Sequence, residues 1–251
     1  MRRKIIAGNW KMHLLADSAV GLAKSIAEDL KDVNEVDIAV FPPAPYLILM
    51  KEVLKGTNVK YGAQNMYFEE KGAFTGEISP GMLKDTGCTL VLIGHSERRK
   101  VFNEPDHLLN KKVKAALDFQ IQPYFCIGET LEERESGELF NVIETQLKEG
   151  LAGINEKQLE SVVIAYEPVW AIGTGVVATP DQAQEMHAFI RNWFLKNYSD
   201  KSAEDIRILY GGSIKPDNIK GLISLKDIDG GLVGGASLTA ESFNQLVRYS
   251  R

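Results

Sequence analysis

The segment Thr89-Leu90-Val91-Leu92-Ile93 is a short apolar run, and the polar residues His95, Ser96 and Glu97 follow it closely. A run of this length and composition predicts a strand that is buried on both faces. Strands of parallel sheets have this character, because helices cover both sides of the sheet. The rest of the chain repeats the same plan in both directions.

Seven further apolar or β-branched runs predict strands along the whole chain. They alternate with amphipathic stretches, which is the pattern of an α/β protein with a parallel sheet. The unequal spacing of the runs and the absence of self-similarity argue against a solenoid of repeats. The eight predicted strands cover residues 5–7, 36–41, 59–63, 89–93, 122–127, 162–165, 206–210 and 228–233.

The amphipathic stretches between the runs predict helices, recognised by apolar residues at a spacing of three and four. No Pro- or Ser-rich linker divides the chain. We therefore predict one (β/α)8 barrel that spans residues 1–251 as a single catalytic domain, with an open sheet of six to eight strands as the alternative. The predicted helices cover residues 17–30, 45–54, 105–119, 131–151, 180–196, 216–222 and 237–249.

The composition limits the classes of partner. The chain has 251 residues, 44% hydrophobic and 25% charged, with a formal net charge of −5, as in ordinary globular proteins. A mildly acidic chain without a dense basic block is a poor nucleic-acid binder. We expect no secretory signal, no membrane span, no metal site, and buried thiols at Cys88 and Cys126 in a cytoplasmic protein.

Polar residues that can carry chemistry follow several of the predicted strands. In a barrel the carboxyl ends of the strands surround the active site, so these residues meet on one rim. Together they offer a carboxylate base, an imidazole, a cation and glycine turns. The candidates after the strands are Asn9, Lys11, Gln64, Asn65, His95, Ser96, Glu97, Glu129, Glu167, Ser213, Gly234 and Gly235.

Two glycine turns and two long connections add to this prediction. Gly211-Gly212-Ser213 ends strand seven and Gly234-Gly235 ends strand eight, where barrels commonly bind phosphate through backbone N–H groups. The connections at 64–79 and 168–179 are long enough to be functional. The G-x-G-x-x-A pattern at 173–178 does not follow a strand directly, so it predicts part of a lid and not a dinucleotide site.

Longer motifs resemble those of the triosephosphate isomerase family, across all 251 residues. The combination of these motifs is highly specific. They are Ala7-Gly8-Asn9-Trp10-Lys11-Met12, Gly94-His95-Ser96-Glu97-Arg98-Arg99, Cys126-Ile127-Gly128-Glu129, the segment from Ala165 to Gly175, Tyr210-Gly211-Gly212-Ser213, and the segment from Leu232 to Leu238.

The resemblance implies a cofactor-free isomerase that interconverts dihydroxyacetone phosphate and glyceraldehyde 3-phosphate. It implies that Glu167 is the base, that His95 polarises the carbonyl, and that Lys11 and Asn9 complete the polar site. Glu97 would orient Lys11. The same resemblance implies a phosphate site that is formed by Gly173, Ser213, Gly234 and Gly235.

The resemblance also implies a homodimer in which the 64–79 loop docks beside the partner's active site, with Thr75 near the partner's Asn9 and Lys11. The apolar Met66, Tyr67, Phe68 and Phe74 of this loop agree with such docking. One departure from the family pattern is Val176, because the family usually has Lys after the glycine at 175. It lies in the lid's second hinge.

Two functions of other classes stay open. One is another phosphate-sugar barrel enzyme, such as an aldolase or a lyase, although Glu167 stands where a Schiff-base enzyme needs Lys. The other is a barrel that binds a phosphate metabolite or a protein partner without catalysis. The helix that begins after His95 adds a prediction of its own, because the positive end of its dipole favours a neutral imidazole.

Overall fold

Eight parallel strands close into a barrel in the computed structural model, which describes residues 2–172 and 178–249. Each strand pairs with the next along the chain, and the last pairs with the first. The closed barrel confirms the predicted (β/α)8 fold, and the open sheet is wrong. The strands are β1 Lys4–Asn9, β2 Val36–Phe41, β3 Val59–Ala63, β4 Leu90–Ile93, β5 Gln122–Ile127, β6 Val163–Tyr166, β7 Arg207–Tyr210 and β8 Gly230–Val233.

Alternate residues of each strand enter two different apolar cores. In β4, Leu90 and Leu92 belong to a small cluster inside the barrel, whereas Val91 and Ile93 pack outward beneath the helices. Residues of a strand alternate between its faces, so a strand buried on both faces must be apolar throughout. This explains why the Leu90–Ile93 run has no polar position.

Helices surround the barrel, and the predicted ones are present with shifted ends. The helices are α1 Ala16–Asp29, α2 Leu47–Val53, α3 Pro80–Asp85, α4 Ser96–Val101, α5 Asp106–Asp118, α6 Leu131–Glu135, α7 Leu139–Gly150, α8 Glu156–Leu159, α9 Pro180–Asn197, α10 Asp200–Asp205, α11 Ile219–Ile223 and α12 Ala240–Val247. Short 3-10 turns lie at Ala44–Tyr46, Val169–Ala171 and Gly235–Ser237.

Some element boundaries differ from the prediction. The single helix expected over 131–151 is two helices, α6 and α7, because Gly137 takes a left-handed φ of 81° between them. The helix expected over 216–222 is reduced to α11. Three short helices, α3, α8 and α10, were not predicted, since one or two turns carry too little periodicity to be recognised.

The start and the end of the 168–179 connection are described, but its middle is not. Val169–Ala171 forms a 3-10 turn after Pro168, and Thr179 caps α9 by accepting from the N–H of Gln182 at 3.2 Å. Gly173, which is predicted to bind phosphate, and the hinge residue Val176 lie outside the described residues.

Candidate active site

A cavity of about 460 Å³ opens at the carboxyl ends of the strands, where barrels carry their active sites. Most of the predicted site residues line it. They are Asn9, Lys11, His95, Glu167, Ser213, Gly234 and Gly235. An adjoining cavity shares the first three of them and contains Glu97. The structure therefore brings these residues together on one rim of the barrel.

Glu167 lies just beyond the end of β6 and is 2% exposed. Its Oε2 accepts the backbone N–H of Ser96 at 2.8 Å, and its Oε1 lies 3.0 Å from Nε2 of His95. Burial opposes ionisation of this carboxyl, but His95, the Ser96 N–H and Lys11 hold the pKa of Glu167 below its ordinary value. Glu167 is thus a buried and ionised carboxylate, which is the state that a base requires.

His95 lies between β4 and α4 and is 6% exposed. Its Nδ1 accepts the backbone N–H of Glu97 at 3.3 Å, so the proton of a neutral ring is on Nε2, which faces Glu167. Burial lowers the pKa of His95, but the charge and the hydrogen bond of Glu167, together with the charge of Glu97, outweigh burial, so the pKa of His95 lies above its ordinary value. This direction is opposite to the one expected from the helix dipole alone, because Glu167 is a full charge at 3.0 Å.

Lys11 has an unusual backbone, with a left-handed φ of 50°. Two side-chain amides hold that backbone in place. Oδ1 of Asn9 accepts the Lys11 N–H at 2.9 Å, and Nε2 of Gln64 donates to the Lys11 carbonyl and to the Phe41 carbonyl, both at 2.8 Å. Nζ of Lys11 lies 2.6 Å from Oε1 of Glu97. Glu97 therefore contacts Lys11 in the way that the resemblance implied.

The opposite wall of the cavity is made of glycine turns after β7 and β8. Gly211, Gly212 and Ser213 line one part of it, and Gly234 and Gly235 line the other. The wall also contains Lys215, a cation that the sequence reasoning missed. The sequence signal was available, since this lysine follows Ser213 by two residues.

Two glycines have close approaches to Glu167. A Cβ on Gly211 would lie 2.8 Å from Cγ of Glu167, and a Cβ on Gly128 would lie 1.7 Å from the Glu167 carbonyl oxygen. Both distances are shorter than any side chain tolerates. The backbone and the side chain of Glu167 therefore fit in this place because Gly128 and Gly211 have no Cβ atom.

Glu129, another polar residue after a predicted strand, lies outside both cavities. It is completely buried, and its Oε1 accepts from the Tyr166 hydroxyl at 3.0 Å and from Nε1 of Trp170 at 2.9 Å. It therefore fastens the first turn of the 168–179 connection to the barrel, and it does not face the space where a ligand would bind.

Three further observations concern metal sites, membrane spans and the cysteines. Among residues 2–172 and 178–249 there is no cluster of three His, Cys, Asp or Glu side chains that could hold a metal ion. No helix within the same residues is long and apolar enough to cross a membrane. Cys88 and Cys126 are buried free thiols.

Comparison with known proteins identifies the family. The family model described as triosephosphate isomerase matches residues 4–250. A triosephosphate isomerase of Carboxydothermus hydrogenoformans is 55% identical over 250 residues, which are 100% of both chains. Proteins of the same name from Endomicrobium trichonymphae and Caldanaerobacter subterraneus are each 53% identical, and their whole lengths are covered.

The chain belongs to the triosephosphate isomerase family. It is an isomerase of that family, and the match over the full barrel confirms what the sequence motifs predicted. The alternatives of an aldolase or lyase and of a non-catalytic binding barrel lose their support, because the family and the complete set of polar residues point to the same enzyme.

Proposed function

We propose that the enzyme interconverts dihydroxyacetone phosphate and glyceraldehyde 3-phosphate, with Glu167 as the base. The observation that carries this proposal is the 3.0 Å contact between Oε1 of Glu167 and Nε2 of His95 in a cavity that Lys11 also lines. A buried carboxylate next to N–H donors is the arrangement that removal of a proton beside a carbonyl requires.

The reaction follows from the positions of these groups. The carboxylate of Glu167 takes a proton from the carbon beside the carbonyl, and the electron pair moves onto the carbonyl oxygen to give an enediolate. Nε2–H of His95 and the ammonium group of Lys11 stabilise that oxygen. The hydroxyl group on the first carbon passes its proton, through Nε2 of His95, to the former carbonyl oxygen, and the carboxylic acid of Glu167 returns its proton to the former carbonyl carbon. The first carbon thereby becomes the carbonyl carbon, which completes the isomerisation without a cofactor or a metal ion.

The phosphate group would occupy the glycine wall. Gly234 and Gly235 lack side chains, so their backbone N–H groups can approach an anion closely. Ser213 and Gly173 complete the proposed site, and Lys215 adds a positive charge at its edge. The 168–179 connection would close over the bound phosphate as a lid and exclude water from the enediolate.

A coupled spectrophotometric assay with glyceraldehyde 3-phosphate tests the reaction. We expect turnover by the native chain and a loss of turnover in Glu167→Gln. Parallel measurement of inorganic phosphate and of carbon–carbon cleavage products separates the isomerase from a lyase and an aldolase. Release of phosphate or cleavage at the same rate as isomerisation would contradict the proposal.

We also propose that residues 1–251 form one catalytic domain, which works in the cytoplasm as a homodimer. Part of the apolar surface of the 64–79 loop is buried within one chain. Met66 is 1% exposed, and the rings of Tyr67 and Phe74 pack against each other with their centres 4.6 Å apart. Phe74 is still 40% exposed, and large exposed apolar side chains from outside the loop line the adjoining cavity that contains Glu97. They are Met12 at 94% exposure, Val101 at 65% and Phe102 at 61%.

Such a patch next to an open cavity supports docking of a second copy. The exposed Thr75 at the tip of the 64–79 loop would enter the partner's second cavity. Light scattering of the native chain is expected to give the mass of two chains at micromolar concentration. Thr75→Glu should shift the mass toward one chain, whereas Thr57→Glu, at a different exposed threonine, should not. A native monomer would refute the dimer, and fractionation of the source cells tests the cytoplasmic location.

A further inference from the structure

Arg99 is a charged residue of α4 that has no part in the reaction proposed above. Its side chain is nevertheless mostly buried, with only 16% exposed. Its guanidinium makes three directed contacts. Nε donates to the carbonyl of Gly94 at 2.9 Å, Nη2 donates to the carbonyl of Cys126 at 3.1 Å, and Nη1 contacts Oδ1 of Asp106 at 2.6 Å. The group also lies over the ring of Phe125, 5.7 Å from its centre.

The first of these contacts fixes the peptide that leads into His95. Gly94 has a left-handed φ of 77°, which turns the chain from β4 into α4. Its carbonyl belongs to the peptide plane that joins Gly94 to His95. A donor held at 2.9 Å from that oxygen therefore restricts the orientation of the plane, and with it the direction of the His95 side chain.

The second contact ties the same helix to the neighbouring strand. The Cys126 carbonyl lies on β5, one strand away from β4 around the barrel. Through it, Arg99 anchors the N-terminal turn of α4 to the rim. That turn carries two groups that contact Glu167, namely the His95 imidazole and the Ser96 N–H.

The shape of the guanidinium is essential to this arrangement. Its flat fork presents several N–H donors at fixed angles, so one group can bind two carbonyls and a carboxylate at once. Asp106, at the start of α5, holds the outer edge of the fork. A lysine in the same place has a single nitrogen on a flexible stem and cannot bridge all three partners.

We propose that Arg99 is a positioning residue for the isomerisation, because it sets His95 and the Ser96 N–H relative to the Glu167 carboxylate. The proposal rests on the roles given above to His95 and Glu167. It goes beyond them in assigning the accuracy of their placement to a side chain that touches neither substrate nor reacting atoms. A misplacement of about 1 Å in such a site costs about a hundredfold in rate.

The test compares two arginine-to-lysine variants of the whole enzyme. Arg99→Lys is expected to lower kcat by about tenfold to a hundredfold, with KM changed by less than about threefold. Arg191→Lys is the matched control, since Arg191 also joins backbone carbonyls and carboxylates but lies at the opposite end of the barrel. It should lose thermal stability while keeping kcat.

Nitrogen NMR of labelled histidine supplies a readout that does not depend on activity. The His95 ring signals should shift in Arg99→Lys and stay in place in Arg191→Lys. If the signals of His95 and kcat both stay native in Arg99→Lys, or if the two variants lose kcat equally, the proposal is overturned. If the signals shift while Glu167→Gln and His95→Gln keep full activity, the proposed roles of those residues fail and the placement by Arg99 stands.

A second variant covers the case in which Arg99→Lys does not fold. Asp106→Asn keeps the guanidinium and weakens only the contact at its outer edge. It is expected to lower kcat by about threefold, with a smaller shift of the His95 signals in the same direction. Native kcat and native His95 signals in Asp106→Asn would then count against the proposal.

Discussion

The backbone N–H of Ser96 donates to Oε2 of Glu167 at 2.8 Å across the mouth of the barrel. The carboxylate that we propose as the base therefore contacts the N-terminus of α4 in this structure, with its other oxygen near His95. To reach a substrate carbon it must leave at least one of these partners. These contacts stabilise the ionised form of Glu167, and we expect a ligand that competes for the same donors to release the carboxylate.

Glu167→Gln should lower kcat by at least about 10²- to 10⁴-fold, because the amide cannot accept the substrate proton. The amide oxygen can still accept from Ser96, so the fold should be retained. The rate is measured in the coupled assay and the fold by circular dichroism. Glu132→Gln, a substitution at an exposed carboxylate of α6, serves as the control and should be fully active. A Glu167→Gln enzyme with near-native kcat would remove Glu167 from the role of base.

The lysine and its carboxylate partner should have separable effects. Lys11→Met removes a positive charge from the cavity and should lower kcat/KM by about 10²-fold or more. Glu97→Gln keeps an acceptor 2.6 Å from Lys11 but loses the charge, so we expect a smaller loss, about tenfold, mainly in KM. Steady-state kinetics of both variants decide this. Equal losses in the two would mean that Glu97 does more than orient Lys11.

Gln64 should matter to substrate binding because it holds the strained backbone of Lys11. Gln64→Leu removes two donors from backbone carbonyls, and Asn58→Leu does the same far from the site, where Asn58 donates to the carbonyls of Leu30 and Val33. Each variant should lose about 1–3 kcal/mol of stability. Only Gln64→Leu should raise KM. The measurements are denaturant unfolding and kinetics, and a raised KM in both variants would show that the effect is not local.

His187 should make the stability of the enzyme depend on pH. It is completely buried, and burial lowers the pKa of His187 to about 4. The unfolded chain, with an ordinary value of about 6.5, binds this proton first as the pH falls. The contribution of His187 to stability should therefore be greatest above about pH 6.5, and this group should lower stability by about 3 kcal/mol toward pH 4.

His187→Phe should remove that decline and give a flatter stability curve between these pH values, as measured by urea unfolding. The ring of Phe can replace the imidazole against Tyr166, whose ring centre is 5.7 Å away. His107→Gln, at an exposed histidine of α5, should keep the native slope. An unchanged slope in His187→Phe would assign the acid sensitivity to other groups.

The barrel could be predicted because several of its strands are buried on both faces and therefore appear as nearly continuous apolar runs, as in Leu90–Ile93. The residues that meet at the rim could be predicted for the same reason, since each follows the end of a run. What could not be predicted depends on neighbours distant in the chain. The raised pKa of His95 needs the Glu167 carboxylate from another strand, and the burial of Glu129 needs Tyr166 and Trp170 above it.

The absence of a Cβ atom at Gly211 limits which substitutions the enzyme can tolerate at this position. A Cβ there would lie 2.8 Å from Cγ of Glu167, about which the carboxylate would turn in the exchange of Ser96 for a substrate that we expect. We therefore expect substitutions of Gly211 to lower turnover as well as stability. In a random library selected for growth on the activity, this glycine should persist even in backgrounds stabilised enough to tolerate the strain of an added side chain.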